Sequence, residues 1–145
     1  MRIASFEQNG WELRCAETSH RKHPKSFWIP AELDRTSLKI GQAAKLIFEI
    51  ERMQAAGRPI IESERMWVLV CKVLDERYLG ILDNQPTTTD FKDPDEYLVF
   101  GAEVLFEPRH VIDIAEPPKD YVEWQLGQKP ERTWPQSAED GKASS

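Results

Sequence analysis

The sequence predicts a mainly β domain with minor α content: a strongly bent antiparallel sheet, or a small partly open β-barrel, with an N-terminal hairpin and short helical turns. Three observations predict it. First, Met66 to Leu74 is apolar on both faces of an extended chain, with Trp67, Leu69, Cys71 and Val73 on one side and Met66, Val68, Val70 and Leu74 on the other. Such a strand needs cover on both sides and belongs inside a sheet or barrel. Second, the polar turn Asp75-Glu76-Arg77 leads straight into another apolar run, Tyr78 to Leu82. Third, Asn9-Gly10 lies between two short alternating runs, which is the pattern of a tight hairpin.

A chain of 145 residues has room for one ordinary domain and a tail. The reading is a single β-rich domain over 1–115, a partly anchored extension over 116–135 and a disordered tail over 136–145. Hydrophobic residues at 40% and charged residues at 30% suit a folded soluble domain. The net charge of −6 argues against non-specific binding to nucleic acid, which needs a basic footprint; a cationic partner fits it better, and charge for solubility alone explains it more simply. Two cysteines make no disulfide framework, and no apolar stretch is long enough to span a bilayer or serve as a leader, so the expected location is the cytoplasm.

Taken in order, a two-residue loop at Asn9-Gly10 pairs Gln8 with Trp11, Phe6 with Leu13 and Ala4 with Cys15. Ala16 to Lys25 is a polar, basic, helix-compatible connector. Ser26-Phe27-Trp28-Ile29-Pro30 is an apolar anchor that Pro24 and Pro30 restrict to a short extended piece or sheet edge. Glu32 to Ile40 is a further connector. From Ala43 to Ile50 period and propensity conflict: a helix groups Ala43, Ala44, Ile47 and Ile50, whereas a strand groups Leu46, Phe48 and Ile50 with Lys45 and Glu49 opposite. The alternation of the two charges decides for a strand. Gln54 to Ser63 is a flexible connection into the central strand.

After Asn84, Thr87 to Thr89 lead to Asp90, Asp93, Asp95 and Glu96, an acidic surface loop that lacks the glycine and ligand spacing of a calcium site. Leu98 to Phe106 is extended with a turn or bulge at Gly101. Pro108 opens one helical turn, and Val111 to Ile114 is a last short strand. Pro117-Pro118 breaks the pattern; Tyr121, Val122, Trp124 and Trp134 are the residues that would anchor the following segment.

No nucleophile elbow, phosphate loop, dinucleotide fingerprint or paired-histidine metal motif occurs, so the expected protein is non-enzymatic, with no cofactor, no metal and no catalytic residues. His110 with Asp113 and Glu107 is the one constellation resembling a base and its orienter, and a capped turn explains it as well. Cys15, His20 and His23 match no zinc spacing, and Cys71 reads as a small buried hydrophobe. The candidate partner contacts are therefore the carboxylates Asp90, Asp93, Asp95 and Glu96, and two aromatics at segment edges, Trp28 and Tyr97.

Glu64-Arg65-Met66-Trp67-Val68, Gly80-Ile81-Leu82-Asp83-Asn84-Gln85-Pro86 and Gly101-Ala102-Glu103-Val104-Leu105-Phe106, continuing through Pro108, His110 and Asp113, resemble a group of small bacterial β-domains. These share an E-R-M-W-V strand, a G-x-L-D-N-x-P turn and a G-D-x-V-x-F ending. The likeness runs from about Pro24 to Asp113 and also favours the strand reading of Ala43 to Ile50. Gln42 and Ala102 stand where that group usually has Asp after glycine. Some relatives of the group are immunity proteins, which bind and neutralise a toxin made by their own cell. The resemblance thus implies a protein-binding domain whose partner is a toxin, and an acidic surface suits a basic toxin domain. It implies structural roles for Trp67 in the core, for Asp83 and Asn84 at turn backbone, and for Gly80, Pro86, Gly101, His110 and Asp113. The alternatives are a domain that binds a small ligand between the sheet and Phe27-Trp28, an accessory domain of a metabolic system, and a hydrolase using His110 and Asp113.

Overall fold

The computed structural model describes residues 1–135, and its frame is one long hairpin. β2 (Ala43–Met53) and β3 (Pro59–Val73) pair antiparallel from Ala43↔Leu69 to Met53↔Pro59. The connecting turn is closed by Gly57, whose φ of 81° only glycine adopts freely. Pairing with a partner strand thus overrides the helical propensity of 43–53. β4 (Tyr78–Leu82) and β5 (Glu103–Phe106) extend the sheet beyond β3. On the far edge of β2, β1 (Trp11–Leu13) and β6 (Asp113–Ala115) pair end to end, giving the order β1-β2-β3-β4-β5 with β6 beside β2. The sheet curls strongly into a half-barrel, as the sequence predicts.

The apolar alternation of β2 and β3 becomes two cores. Leu46, Phe48, Met66, Val68, Val70, Leu82, Val104 and Phe106 form the larger one inside the curl. On the outer face, Ile47 packs with Ala16, Ile112, Phe27 and Ile29. Full burial of each such side chain stabilises by about 1.5–3 kcal/mol. Gly80 sits where a Cβ would lie 3.0 Å from Val68 Cβ and 3.2 Å from Phe106 Cε1, so the curl there requires glycine. A bulge between Val70 and Lys72 interrupts the face assignment: Cys71 and Leu74 pack on the main core while Val73 is exposed.

Several local expectations differ. The predicted N-terminal hairpin is instead a one-turn helix, α1 (Phe6–Asn9), followed by β1. Ser5 Oγ accepts from Gln8 N and Asn9 Oδ1 accepts from Ser5 N, so the polar side chains cap a helix, and Gly10, at φ 76°, ends it rather than turning a ribbon. The helix-compatible basic connector does form a helix, α2 (Ala16–Lys22), whereas Glu32 to Ile40, read only as a connector, contains α3 (Glu32–Thr36). Arg35 of α3 is buried, donating to Pro30 O at 2.8 Å, Pro108 O at 3.1 Å and Glu17 Oε2 at 2.6 Å.

Trp67 does not fill the core. It pairs with Lys45 on the outer face, is only partly buried, and carries the Lys45 ammonium 5.6 Å from its ring centroid. The segment after Ala115 is built into the body. α4 (Lys119–Leu126) packs through Val122 near Gly41, and its Tyr121 hydroxyl donates to Asp83 Oδ1 at 2.5 Å. Trp134, 5% exposed, joins Trp11 and Tyr97 in an aromatic group and donates from Nε1 to Arg2 O at 2.9 Å. The expectation for 136–145 lies outside the described residues.

Candidate protein-binding site

The acidic loop leaves the sheet at the end of β4. Asp83 N donates to Trp67 O at 2.9 Å, and Asn84 Oδ1 accepts from Trp67 N at 2.7 Å, so a side-chain amide continues the β3 ladder by one step. The expectation that Asn84 satisfies backbone holds; Asp83, expected to do the same, spends its carboxylate on Tyr121 instead. Burial raises the Asp83 pKa and the Tyr121 hydrogen bond opposes that rise. Burial and Asp83 together push the Tyr121 phenol up to about 12.

Beyond buried Pro86 the chain meets Glu64. This residue pairs with Phe48 and shares the inward parity of Met66, so its carboxylate needs donors. It finds three: Thr87 N at 3.0 Å, Thr88 N at 3.1 Å and Thr88 Oγ1 at 2.7 Å. Burial raises the Glu64 pKa, but these donors outweigh it and hold the group below its ordinary value.

Further bonds fix the rest of the loop. Arg52 donates to Thr88 O, Thr89 Oγ1 donates to Leu98 O at 2.5 Å, and Gln85 accepts from Phe100 N at 3.0 Å. Asp90 Oδ1 accepts from Lys92 N and Asp93 Oδ1 from Asp95 N, both at 2.9 Å, making two successive side-chain-closed turns. From the C-terminal segment, Arg132 donates to Glu96 O at 3.0 Å and Asp93 O at 3.3 Å. The result is a loop with Asp90 and Asp95 exposed and Asp93 and Glu96 partly so. Burial, then Asp93 and Asp90 against an opposing Arg52, raise the Glu96 pKa, the mark of crowded carboxylates.

The six predicted contacts do not form one patch. Tyr97 is turned inward: its ring stacks on Trp11 at 6.3 Å and its hydroxyl donates to Glu103 O at 2.6 Å. Trp28 is 68% exposed but stands on the outer face, rimming a cleft of about 250 Å³ with Lys45, Arg65, Ile112 and Asp113. That cleft, where the alternative reading would put a small ligand, mixes the charges of Lys45, Arg65 and Asp113 with Phe27, Trp28 and Ile112. Of the remaining motif residues, Gly101 turns at φ 92° and Asp113 Oδ1 accepts from Ile114 N at 2.8 Å.

His110 lies in the 3₁₀ turn Pro108–His110 and is 1% exposed. Its Nδ1 accepts from Glu107 N at 3.0 Å. Burial, helped by Arg109, lowers its pKa to about 3, so the imidazole is neutral and closes a capping box rather than meeting Asp113. Among the described residues no group of His, Cys, Asp or Glu is arranged to hold a metal ion, and His20 Nδ1 is taken by Phe27 O at 2.6 Å.

Nothing in the sequence marks Glu64, Arg52 and Arg132 as a set. Glu64 carried a signal: a carboxylate with inward parity in an apolar strand has to be satisfied by something, and Thr87 to Thr89 supply the nearest cluster of donors. Arg132 carried none, since its acceptors are backbone carbonyls. Comparison with protein-family models, with curated proteins and with solved structures finds no match for this chain. No helix among the described residues is long and apolar enough to cross a membrane.

Proposed function

We propose that this domain is a non-enzymatic binding protein that recognises another protein through the loop Asp90 to Glu96, and that it acts as an immunity protein against a basic toxin domain. One observation carries the reading: the acidic loop is anchored at both ends, by Glu64 on Thr87 and Thr88 just before it and by Arg132 on the Asp93 and Glu96 carbonyls. A loop whose only task was solubility would gain nothing from that fixing. A binding loop does, because ordering it before contact removes an entropy cost from association. Its carboxylates complement cationic side chains, which raises the association rate and makes it fall with salt. The resemblance to small bacterial β-domains supplies the toxin as the partner.

The test is capture from the native host with the full chain as bait, followed by calorimetry with the captured protein at two salt concentrations. A basic protein whose affinity drops in Asp90→Asn/Asp93→Asn/Asp95→Asn supports the proposal. Undiminished binding by that variant removes the loop from the interface, and retention of no protein at all counts against a binding role.

A further inference from the structure

β3 has a free edge. Its backbone groups alternate in direction: Val70 N and O bond Gln42 O and Gly41 N, towards β2, whereas Trp67 N and O bond Asn84 and Asp83, away from β2. The alternation carries back along the strand, so Arg65, Ser63 and Ile61 also aim N–H and C=O away from β2. β4 begins its pairing only at Val68↔Leu82, and the chain beyond Asn84 turns to meet Glu64. Among the described residues, Ile61, Ser63 and Arg65 therefore make no backbone hydrogen bond on that side, and all three are exposed, Ile61 at 55%. Folded proteins normally block such an edge; here Pro59 closes only its far end.

We propose that the edge from Ile61 to Arg65 accepts an extended segment of a partner protein as an added strand, with Lys or Arg alternating along one face of that segment. Main-chain hydrogen bonds would supply the pairing and alternate side chains the selectivity. Glu62 is exposed on the face it shares with Glu64, whose own carboxylate is taken by Thr87 and Thr88, and with the acidic loop nearby it calls for cations opposite. Ile61, Ser63 and Arg65 share the other face, where exposed Ile61 suits an apolar side chain. A second copy of this chain fits poorly: two-fold pairing about Ser63 sets Glu62 against Glu64 twice. The inference rests on the protein-binding reading above and names the chemistry of the bound segment.

The probe is a labelled nine-residue peptide of alternating Lys and Val, set against its Glu-Val counterpart, with the full chain. Anisotropy should report binding of the Lys-Val peptide alone, and amide exchange should slow at Ile61, Ser63 and Arg65. Glu62→Lys should weaken binding about tenfold or more. Ile61→Pro should do the same while circular dichroism stays unchanged, because the lost N–H points away from β2. No binding, or binding without protection of those three amides, overturns the proposal. Protection that rises with protein concentration in the absence of peptide assigns the edge to a second copy and also overturns it. If the captured partner is weakened by the aspartate variants but not by Glu62→Lys or Ile61→Pro, the edge inference fails and the loop reading stands.

Discussion

Replacing Glu64 by Gln tests whether the acidic loop is held by the strand beneath it. The carboxylate accepts from Thr87 N, Thr88 N and Thr88 Oγ1. Gln keeps one acceptor oxygen and turns an amide N–H towards a donor, so at least one of these bonds is lost. A hydrogen bond to a charged group contributes about 1.5–3 kcal/mol, and solvent screening at this partly exposed site reduces that, so the expected loss is about 1–2 kcal/mol. For a domain of this size that is a fall of about 3–6 °C in Tm. The local effect is sharper. Amide exchange at Thr87 and Thr88 should accelerate by about tenfold, while Val68 and Val70, paired within the sheet, change only as global stability does.

The same carboxylate gives a pH signature. Its folded pKa lies below the ordinary 4.5, so its contribution is fully present above that value and disappears as pH falls through the folded pKa. Protection of Thr87 and Thr88 should decline below about pH 4.5 in the native chain and show no matching step in Glu64→Gln. Equal exchange rates for the two proteins at pH 7 would refute the idea that Glu64 positions the loop.

Three further outcomes follow from the packing. Trp134→Ala should cost about 3–5 kcal/mol in urea denaturation, since it empties the site against Trp11 and Tyr97 and leaves Arg2 O without its donor. Gly101→Ala should cost about 1–3 kcal/mol, read as a Tm shift, because φ is 92° and the new Cβ would sit 2.8 Å from Glu131 Cγ. His110 has a folded pKa of about 3 against an ordinary 6.5, so its contribution is complete above pH 6.5 and is lost as pH falls from there towards 3. His110→Gln, with an oxygen able to accept from Glu107 N, should flatten the stability profile across that window.

The sheet was legible because a strand apolar on both faces needs cover on both sides, and Met66, Val68, Leu69 and Val70 have it. The strand reading of Ala43 to Ile50 followed from two charges, Lys45 and Glu49, alternating with apolar neighbours. The N-terminus was misread because Asn-Gly serves equally as a hairpin turn and as a helix end; Ser5, placed to cap Gln8, decides between them. Trp67 was misread because an aromatic in an apolar strand looks like core until register puts it opposite Lys45. The acidic loop was visible as composition, but its fixing by Arg52 and Arg132 depends on contacts 36 residues or more away along the chain, which no local pattern reveals.

The residues around the corner where β4 leaves the sheet converge on one task. Glu64 holds Thr87 and Thr88, Asn84 holds the Trp67 amide, Asp83 ties the same corner to Tyr121, and buried Pro86 stiffens the chain between them. Gly101 returns the chain to β5 beside Glu131, one residue before the Arg132 that grips Asp93 and Glu96. None of these groups needs to touch a partner for the arrangement to matter. Together they hold the loop that carries four carboxylates, so under the proposed binding role a change at these residues should alter binding by moving the loop rather than by removing a contact. That separates corner variants from loop variants: the first should slow association and loosen the loop amides together, the second should slow association while leaving those amides protected.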